Sequence, residues 1–154
     1  MKHFKDSQHG TSLLELMFAM AIVATISAIA LPATKNVLKS YHLSAAVKSA
    51  TGGIQSTRYL ALMRGYHYNI TFDPTTQTYQ IASKVPPAIT FSNVGGPVPW
   101  SVTNDVTMTP ATTLEFYPGG TVVATTGALT FTMTNGVTTE TVTISGVGNV
   151  DVSP

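Results

Sequence analysis

The chain has 154 residues, a net charge of +1 and no cysteine, and only 10% of its residues are charged. This length fits one domain with a modest core. The absence of cysteine excludes disulfide bonds and thiol catalysis. Charge is unevenly distributed, because no Lys or Arg follows Lys84 while four acids do. These acids are Asp105, Glu115, Glu140 and Asp151.

The chain begins with a polar stretch, residues 1–10, which we interpret as a leader that is removed. A long apolar run then extends over residues 13–31. As a helix this run would be roughly 28 Å long, close to the hydrocarbon thickness of a bilayer. The run therefore predicts a membrane-spanning helix. Its three polar residues are Glu15, Thr25 and Ser27.

Glu15 is the one carboxylate in the apolar run. An ionised side chain in a spanning segment costs on the order of 2.5–3.5 kcal/mol at mid-membrane, and less near the end, where Glu15 lies. One interpretation is that Glu15 extends to the membrane interface. The other is that Glu15 pairs with a positive group inside an assembly.

The N-terminal stretch combines Gly10, the sequence T-S-L-L-E-L, an unbroken apolar run and Pro32. It resembles the class III signal of type IV pilins and type II secretion pseudopilins. The resemblance implies that prepilin peptidase, a membrane aspartyl peptidase, cuts after Gly10 and methylates the new amine of Thr11. It also implies that Glu15 pairs with the Thr11 amine of a neighbouring subunit. The family most often has Phe where this chain has Thr11.

Two other interpretations of the N-terminus remain. Ala28-Ile29-Ala30 resembles a secretory cleavage site, and Lys2 and Lys5 supply a basic start. An apolar segment of about 18 residues that contains an acid argues against an ordinary secretory signal, whose apolar region usually has about 7–15 residues. The third interpretation is an uncleaved anchor.

Beyond Pro32, apolar residues recur near helical spacing, so we predict one helix from about 12 to 64. Pro32 predicts a kink in this helix. The pair Gly52-Gly53 predicts a kink or fraying, because two glycines cost roughly 2 kcal/mol relative to alanine in a helix interior. Gly65 fits a C-terminal cap.

From Tyr66 the period changes to two, which predicts a strand through Phe72 and a hairpin to a second strand at 78–82. Residues 83–100 are rich in Pro and Gly and predict a loop with a short strand at 88–91. We expect Trp100 to anchor this loop on the core. Further strands are predicted at 102–109, 113–117, 128–134, 137–144 and 149–152, with turns at Pro118-Gly119-Gly120 and Asn135-Gly136.

The predicted fold class is therefore α+β, with a long N-terminal helix packed on an antiparallel β-rich C-terminal domain. We divide the chain into the leader, a membrane-spanning and filament-core helix at 11–32, a periplasmic half of the helix at 33–65, and a globular domain at 66–154.

The second half of the chain contains L-E-F-Y-P-G-G, A-L-T-F-T and finally V-T-I-S-G-V-G-N-V-D-V. In this order it resembles the H-type minor pseudopilin group, which includes GspH pseudopilins and FimT- and FimU-type minor pilins. The resemblance implies a structural subunit near the tip of a filament or in its priming complex. It implies an inner-membrane protein with a periplasmic domain. Its partners would be prepilin peptidase and other minor and major pilins or pseudopilins. From the charge distribution we further expect the acidic and basic halves to help neighbouring subunits orient.

The sequence contains no P-loop, Rossmann glycine pattern, HExxH or nucleophile elbow. Once the leader is removed, His42 and His67 stand alone, with no second His or Cys nearby. We therefore predict no catalytic residue, cofactor or metal site. The alternative is a periplasmic enzyme or ligand binder that keeps a membrane anchor.

A role in DNA uptake is a further alternative, since FimT-type members bind DNA through a C-terminal G-R-x-R motif. The aligned residues here are Gly148-Asn149-Val150-Asp151, which lack both basic positions. Because phosphate contacts supply most of the affinity for DNA, the acidic second half argues against nucleic acid as a partner. The sequence does not separate a type IV pilus from a type II secretion system.

Overall fold

The computed structural model describes the backbone of residues 12–154, and the side chains of all of these except residues 31–33. One helix, α1, spans Leu13–Arg64 and is followed by antiparallel strands. The predicted α+β fold class is confirmed. Of the described residues, those up to Val37 form one compact unit and Leu38–Pro154 form a second. The strands are β1 His67–Asp73, β2 Thr78–Lys84, β3 Ser92–Asn93, β4 Val98–Pro99, β5 Thr107–Thr109, β6 Thr112–Phe116, β7 Val122–Thr126, β8 Thr130–Thr134, β9 Thr139–Ile144 and β10 Val150–Ser153.

In the second unit, α1 buries one face. Its buried residues recur every three or four positions, which is the period of one side of a helix. Several are alanines, so the helix backbone lies close to the sheets. The buried residues of this face are Leu43, Ala46, Val47, Ala50, Ile54, Thr57 and Ala61. Thr57 is satisfied inside the helix, because its hydroxyl donates to the Gly53 carbonyl at 2.7 Å.

The helix ends at a glycine cap, as predicted. Gly65 has a φ of 73°, a left-handed conformation that costs glycine no steric strain. Its N–H donates to the carbonyl of Ala61 at 3.1 Å, which satisfies one of the last free carbonyls of the helix.

The strands form two antiparallel sheets. The first has the order β3-β2-β1-β6-β7, with β4 also paired to β2, and the second has the order β10-β9-β8-β5. In the first sheet Ile70 of β1 lies opposite Ile81 of β2 and Leu114 of β6. In the second sheet Phe131 lies opposite Val142.

The core forms where α1 and the two sheets supply apolar side chains to one cluster. Phe72 from the first sheet contacts Phe131 from the second, with ring centroids 5.5 Å apart. Trp100 is 3% exposed, and its ring lies 6.0 Å from that of Phe72. The expected role of Trp100 as an anchor of its loop on the core is confirmed.

Three predicted elements of the β region differ from the structure. No strand forms at 88–91; instead, β3 and β4 pair with β2 and extend the sheet edge. The predicted strand 102–109 is reduced to β5. β7 was not predicted, although it pairs with β6 directly after the turn at Pro118-Gly119-Gly120. These differences all concern pairing partners, which a local sequence pattern does not specify.

The helix is continuous across Gly52-Gly53, so the fraying predicted there is wrong. The two glycines have different surroundings. A methyl group at Gly52 would have no heavy atom within 4 Å, whereas one at Gly53 would lie 3.0 Å from the Tyr79 ring and 3.1 Å from Cδ1 of Ile70. Gly53 therefore permits a close approach of α1 to the first sheet.

The paired glycines yield a stability prediction. Gly52→Ala should stabilise the second unit by about 1 kcal/mol, because alanine favours the helix and has free space. Gly53→Ala should lose this gain, since overpacking costs about 1–3 kcal/mol. Thermal unfolding of both variants in detergent measures the difference, which should place Gly52→Ala highest. Equal transition temperatures for the two variants would contradict the close approach at Gly53.

Candidate functional site

The first unit begins with a capped helix. The Ser12 hydroxyl accepts a hydrogen bond from the N–H of Leu14 at 3.3 Å, and the Ser12 carbonyl accepts from Leu16 at 3.1 Å. This pattern satisfies free N–H groups at the start of a helix. Glu15 lies in the first turn and is exposed. The helix dipole favours a negative charge at that end.

The apolar run presents apolar side chains on every side of α1. From Leu13 to Ala30 every described residue is exposed. Within residues 12–154 one helix is long and apolar enough to cross a membrane, with a mean hydropathy of 2.2 over 18 residues. The Thr25 hydroxyl donates to the carbonyl of Ile22 at 2.8 Å, so that group needs no partner from outside the helix. This surface suits lipid or other apolar helices.

The structure describes only some of the residues predicted to act in processing and assembly. Gly10 and Thr11 lie outside the described residues, so cleavage and methylation stay predictions. Helix α1 continues through Pro32, and the kink there stays a prediction. Among residues 12–154 none of the three ion pairs includes Glu15, and its pairing with a neighbouring amine also stays a prediction.

In the second unit, Asp105 is bound to α1. Its Oδ2 lies 2.8 Å from Nδ1 of His42, and the Thr103 hydroxyl donates to its Oδ1. Hydrogen bonds from Thr103 and then from His42 hold the pKa of Asp105 below its usual range. Asp105 and the loop that carries it are thereby connected to the helix.

Glu115 has a similar environment on the first sheet. Its Oε1 lies 2.7 Å from Nδ1 of His67 and 3.8 Å from Nζ of Lys84. The Tyr117 ring lies against the His67 ring, with centroids 4.5 Å apart. Glu115 of β6 thus contacts His67 on the adjacent strand β1 and Lys84 on β2, and these contacts help to hold the three strands together.

Glu140 completes a set of three acids with partners inside the chain. Its Oε1 accepts a hydrogen bond from the Ser44 hydroxyl at 3.4 Å. Asp105, Glu115 and Glu140 thus use their charge to connect the acidic half of the sequence to the preceding half. The proposal that the two halves orient neighbouring subunits stays a prediction.

The turn between β9 and β10 packs against Arg58 of α1. Gly148 has a φ of 76°, and a methyl group there would lie 2.8 Å from Cδ of Arg58. Nη1 of Arg58 lies 3.5 Å from Oδ1 of Asn149. Nε of Arg58 is buried without a hydrogen-bond partner among the described residues, so this contact depends mainly on packing of the aliphatic stem.

Two comparisons with known proteins found a similarity, one in the N-terminal sequence and one in the fold. A model of the prokaryotic N-terminal methylation motif matches residues 5–31. The fold is similar to that of the minor pseudopilin EpsH from the type 2 secretion system of Vibrio cholerae, with a TM-score of 0.56. The two chains are 11% identical, and the match covers 73% of this chain and 96% of EpsH. No curated protein sequence matches.

The chain is similar to type IV pilin-like proteins. The methylation motif precedes an exposed apolar helix, and the domain has the fold of an H-type minor pseudopilin. The resemblance stated from the sequence is confirmed. The motif and the apolar helix fit a pilin-like chain anchored in a membrane. Within residues 12–154 no group of three or more His, Cys, Asp and Glu side chains is placed to hold a metal ion.

Sequence reasoning missed the two histidine–carboxylate pairs of this pilin-like chain. His42 and Asp105 are 63 positions apart, and His67 and Glu115 are 48 apart. No local motif joins them. The one available indication was the charge distribution, because His42 and His67 both precede Lys84 whereas four acids follow it.

The lowered pKa of Asp105 predicts acid sensitivity. Asp105 contributes stability that is present above its unfolded pKa of about 3.9 and is lost as pH falls through its lower folded value. Asp105→Asn should therefore reduce stability at neutral pH and flatten its decline below about pH 4. Chemical unfolding across pH measures this. Asp151→Asn, in the exposed strand β10, is the control and should follow the wild-type curve.

Proposed function

We propose that this chain is a structural minor subunit of a type IV pilus, located at the tip or in the priming complex. The observation that carries this proposal is the methylation motif at residues 5–31, which continues into a helix exposed on all sides. Such a helix needs an apolar environment, which a membrane supplies before assembly and neighbouring apolar helices supply afterwards. The EpsH-like fold of the domain supports a minor rather than a major subunit.

In this proposal the chain inserts in the inner membrane with its domain in the periplasm. Prepilin peptidase then cuts after Gly10 and methylates the amine of Thr11. The partners of the mature subunit are other minor and major pilins. The domain, with its own core, contributes specific faces to a few neighbours, and no catalytic group is required.

Glu15 sets the register of assembly in this proposal. In apolar surroundings an unpaired carboxylate is costly, whereas a carboxylate matched to a cation is tolerated. The N-terminal amine of a neighbouring subunit is a cation of suitable size, and Glu15 lies in the first turn of the helix, close to where its own chain would begin after cleavage. One pair per contact would favour a single axial offset over other offsets, because every other offset leaves both charges unmatched.

Replacement of Glu15 tests this role. Glu15→Ala should remain in the membrane, because removing a charge lowers the cost of insertion by about 2.5 kcal/mol or less near a helix end. It should be absent from sheared filaments. Glu15→Gln, which keeps the shape without the charge, should behave in the same way. Fractionation of cells and filaments, with immunodetection of the chain, measures both properties.

Met17→Ala is the matched control for this experiment, since Met17 is an exposed neighbour in the same helix and carries no charge. It should enter filaments at close to the wild-type level. Wild-type incorporation of Glu15→Ala would overturn the assigned role. Mass spectrometry of the mature N-terminus should show methylated Thr11; a chain that starts at Leu31 would instead support secretory cleavage.

A minor pseudopilin of a type II secretion system is the second candidate. It is favoured by the similarity to EpsH, a minor pseudopilin of such a system. The two candidates share the same helix, processing and subunit chemistry. They differ in the machine that the filament serves, and only a cellular experiment separates them.

A deletion strain scored for surface pili with twitching, and for secreted exoproteins, makes this separation. Loss of pili and motility with normal secretion is the outcome expected for the proposed pilus subunit. Retained pili with exoproteins trapped in the periplasm would identify a secretion pseudopilin. If both functions were intact, the structural role in either machine would be refuted and DNA uptake would be tested next. Complementation with the wild-type gene controls for effects on neighbouring genes.

A further inference from the structure

Three side chains join α1 to the segment 101–106, which connects β4 to β5. Nδ1 of His42 lies 2.8 Å from Oδ2 of Asp105 and 3.2 Å from the Thr103 hydroxyl. That hydroxyl in turn donates to Oδ1 of Asp105. The carboxylate thus receives hydrogen bonds on both oxygens, one of them from the helix.

The segment itself has no strand pairing. It is anchored by Trp100 just before it and by Val106 at its end, both of which are buried. Between these anchors, Ser101 accepts a hydrogen bond from the N–H of Thr103 at 3.2 Å, which is a contact within the segment. The bonds from His42 are therefore the polar connection of this segment to α1 among the described residues.

The same segment forms one wall of a cleft of about 240 Å³. Tyr41, His42 and Ala45 of α1 line the opposite wall. Val102 lies in the segment wall with its side chain fully exposed. The hydrogen bond between His42 and Asp105 joins α1 to the segment that carries Val102.

We propose that His42, Thr103 and Asp105 form a proton-dependent latch that holds segment 101–106 against α1. Histidine changes charge between about pH 5 and 8. Because Asp105 is ionised, a proton on His42 turns a hydrogen bond from a neutral donor into an ion pair and adds Coulomb attraction to it. The latch is therefore tighter when His42 carries a proton, and it loosens as His42 becomes neutral.

The surrounding charges leave Asp105 as the partner of His42. On α1, Lys39 lies about one turn before His42, and Tyr41 lines the same cleft. Glu140 of β9 is the other acid near this part of the helix, and it accepts its hydrogen bond from Ser44 instead. Among the described residues, Asp105 is the carboxylate within ion-pair distance of His42.

The charge of Asp105 does not change over the pH range of the experiment described below. Hydrogen bonds from Thr103 and His42 keep the pKa of Asp105 below its usual range. Asp105 therefore stays ionised throughout the range in which histidine titrates. A change in the segment between about pH 5.5 and 8 is therefore not caused by protonation of Asp105.

Trp100 is the one tryptophan of the chain and directly precedes the segment, so its fluorescence reports this place. The experiment measures acrylamide quenching of Trp100 in the full-length protein in detergent micelles, at about pH 5.5 and pH 8. The ion pair of a partly exposed histidine and carboxylate is worth up to about 1 kcal/mol. The quenching rate should therefore be higher at pH 8, by up to roughly fivefold. Equal rates at the two pH values would overturn the latch.

Two variants test whether the pH dependence of quenching comes from His42. His42→Asn can still donate a hydrogen bond but cannot be charged, so its quenching should not depend on pH. His67→Asn removes the other histidine–carboxylate pair and should keep the wild-type dependence. A pH dependence that persists in His42→Asn would contradict the proposal. In the wild type, the midpoint of quenching must also coincide with the titration of the His42 ring in NMR spectra, and agreement with the His67 ring instead would refute it.

Discussion

The burial of one face of α1 is the constraint on which the rest of the second unit depends. At Ala46, Ala50, Gly53 and Ala61 little side-chain volume separates the helix backbone from the sheets. Close packing of this kind allows two sheets to share one cluster with a single helix in a domain of modest size. The aromatic contact of Phe72 with Phe131 then closes the core between the sheets.

The helix has two kinds of surface in one continuous element. Residues 13–30 are apolar and exposed on all sides, whereas the part that begins at Leu38 has one buried face and one exposed face. A single helix can do this because its hydrogen bonds all lie within the backbone, while the side chains determine what each turn contacts. An element built in this way can change what its N-terminal part contacts without any refolding of the second unit.

The long helix, the glycine cap at Gly65 and the alternation in β1 could be predicted because each follows from a local period or a single backbone requirement. The motif around Gly10 and Glu15 was also local, and it carried the resemblance. β7 and the edge strands β3 and β4 could not be predicted, since strand pairing depends on residues far away in sequence. The pairing of His42 with Asp105 could not be predicted for the same reason, since the two residues are 63 positions apart and His42 stands alone in the sequence.

The contact of Arg58 with Gly148 has a consequence for how the last hairpin is held. In a chain without cysteine, the turn between β9 and β10 is connected to α1 by a guanidinium side chain that lies across a glycine. A disulfide at such a place would depend on an oxidising compartment and on the enzymes that form it. The contact of a packed arginine forms as soon as the chain folds and is lost only when the chain unfolds. The domain can therefore mature and turn over without any change of oxidation state, and reductants in its surroundings leave it intact.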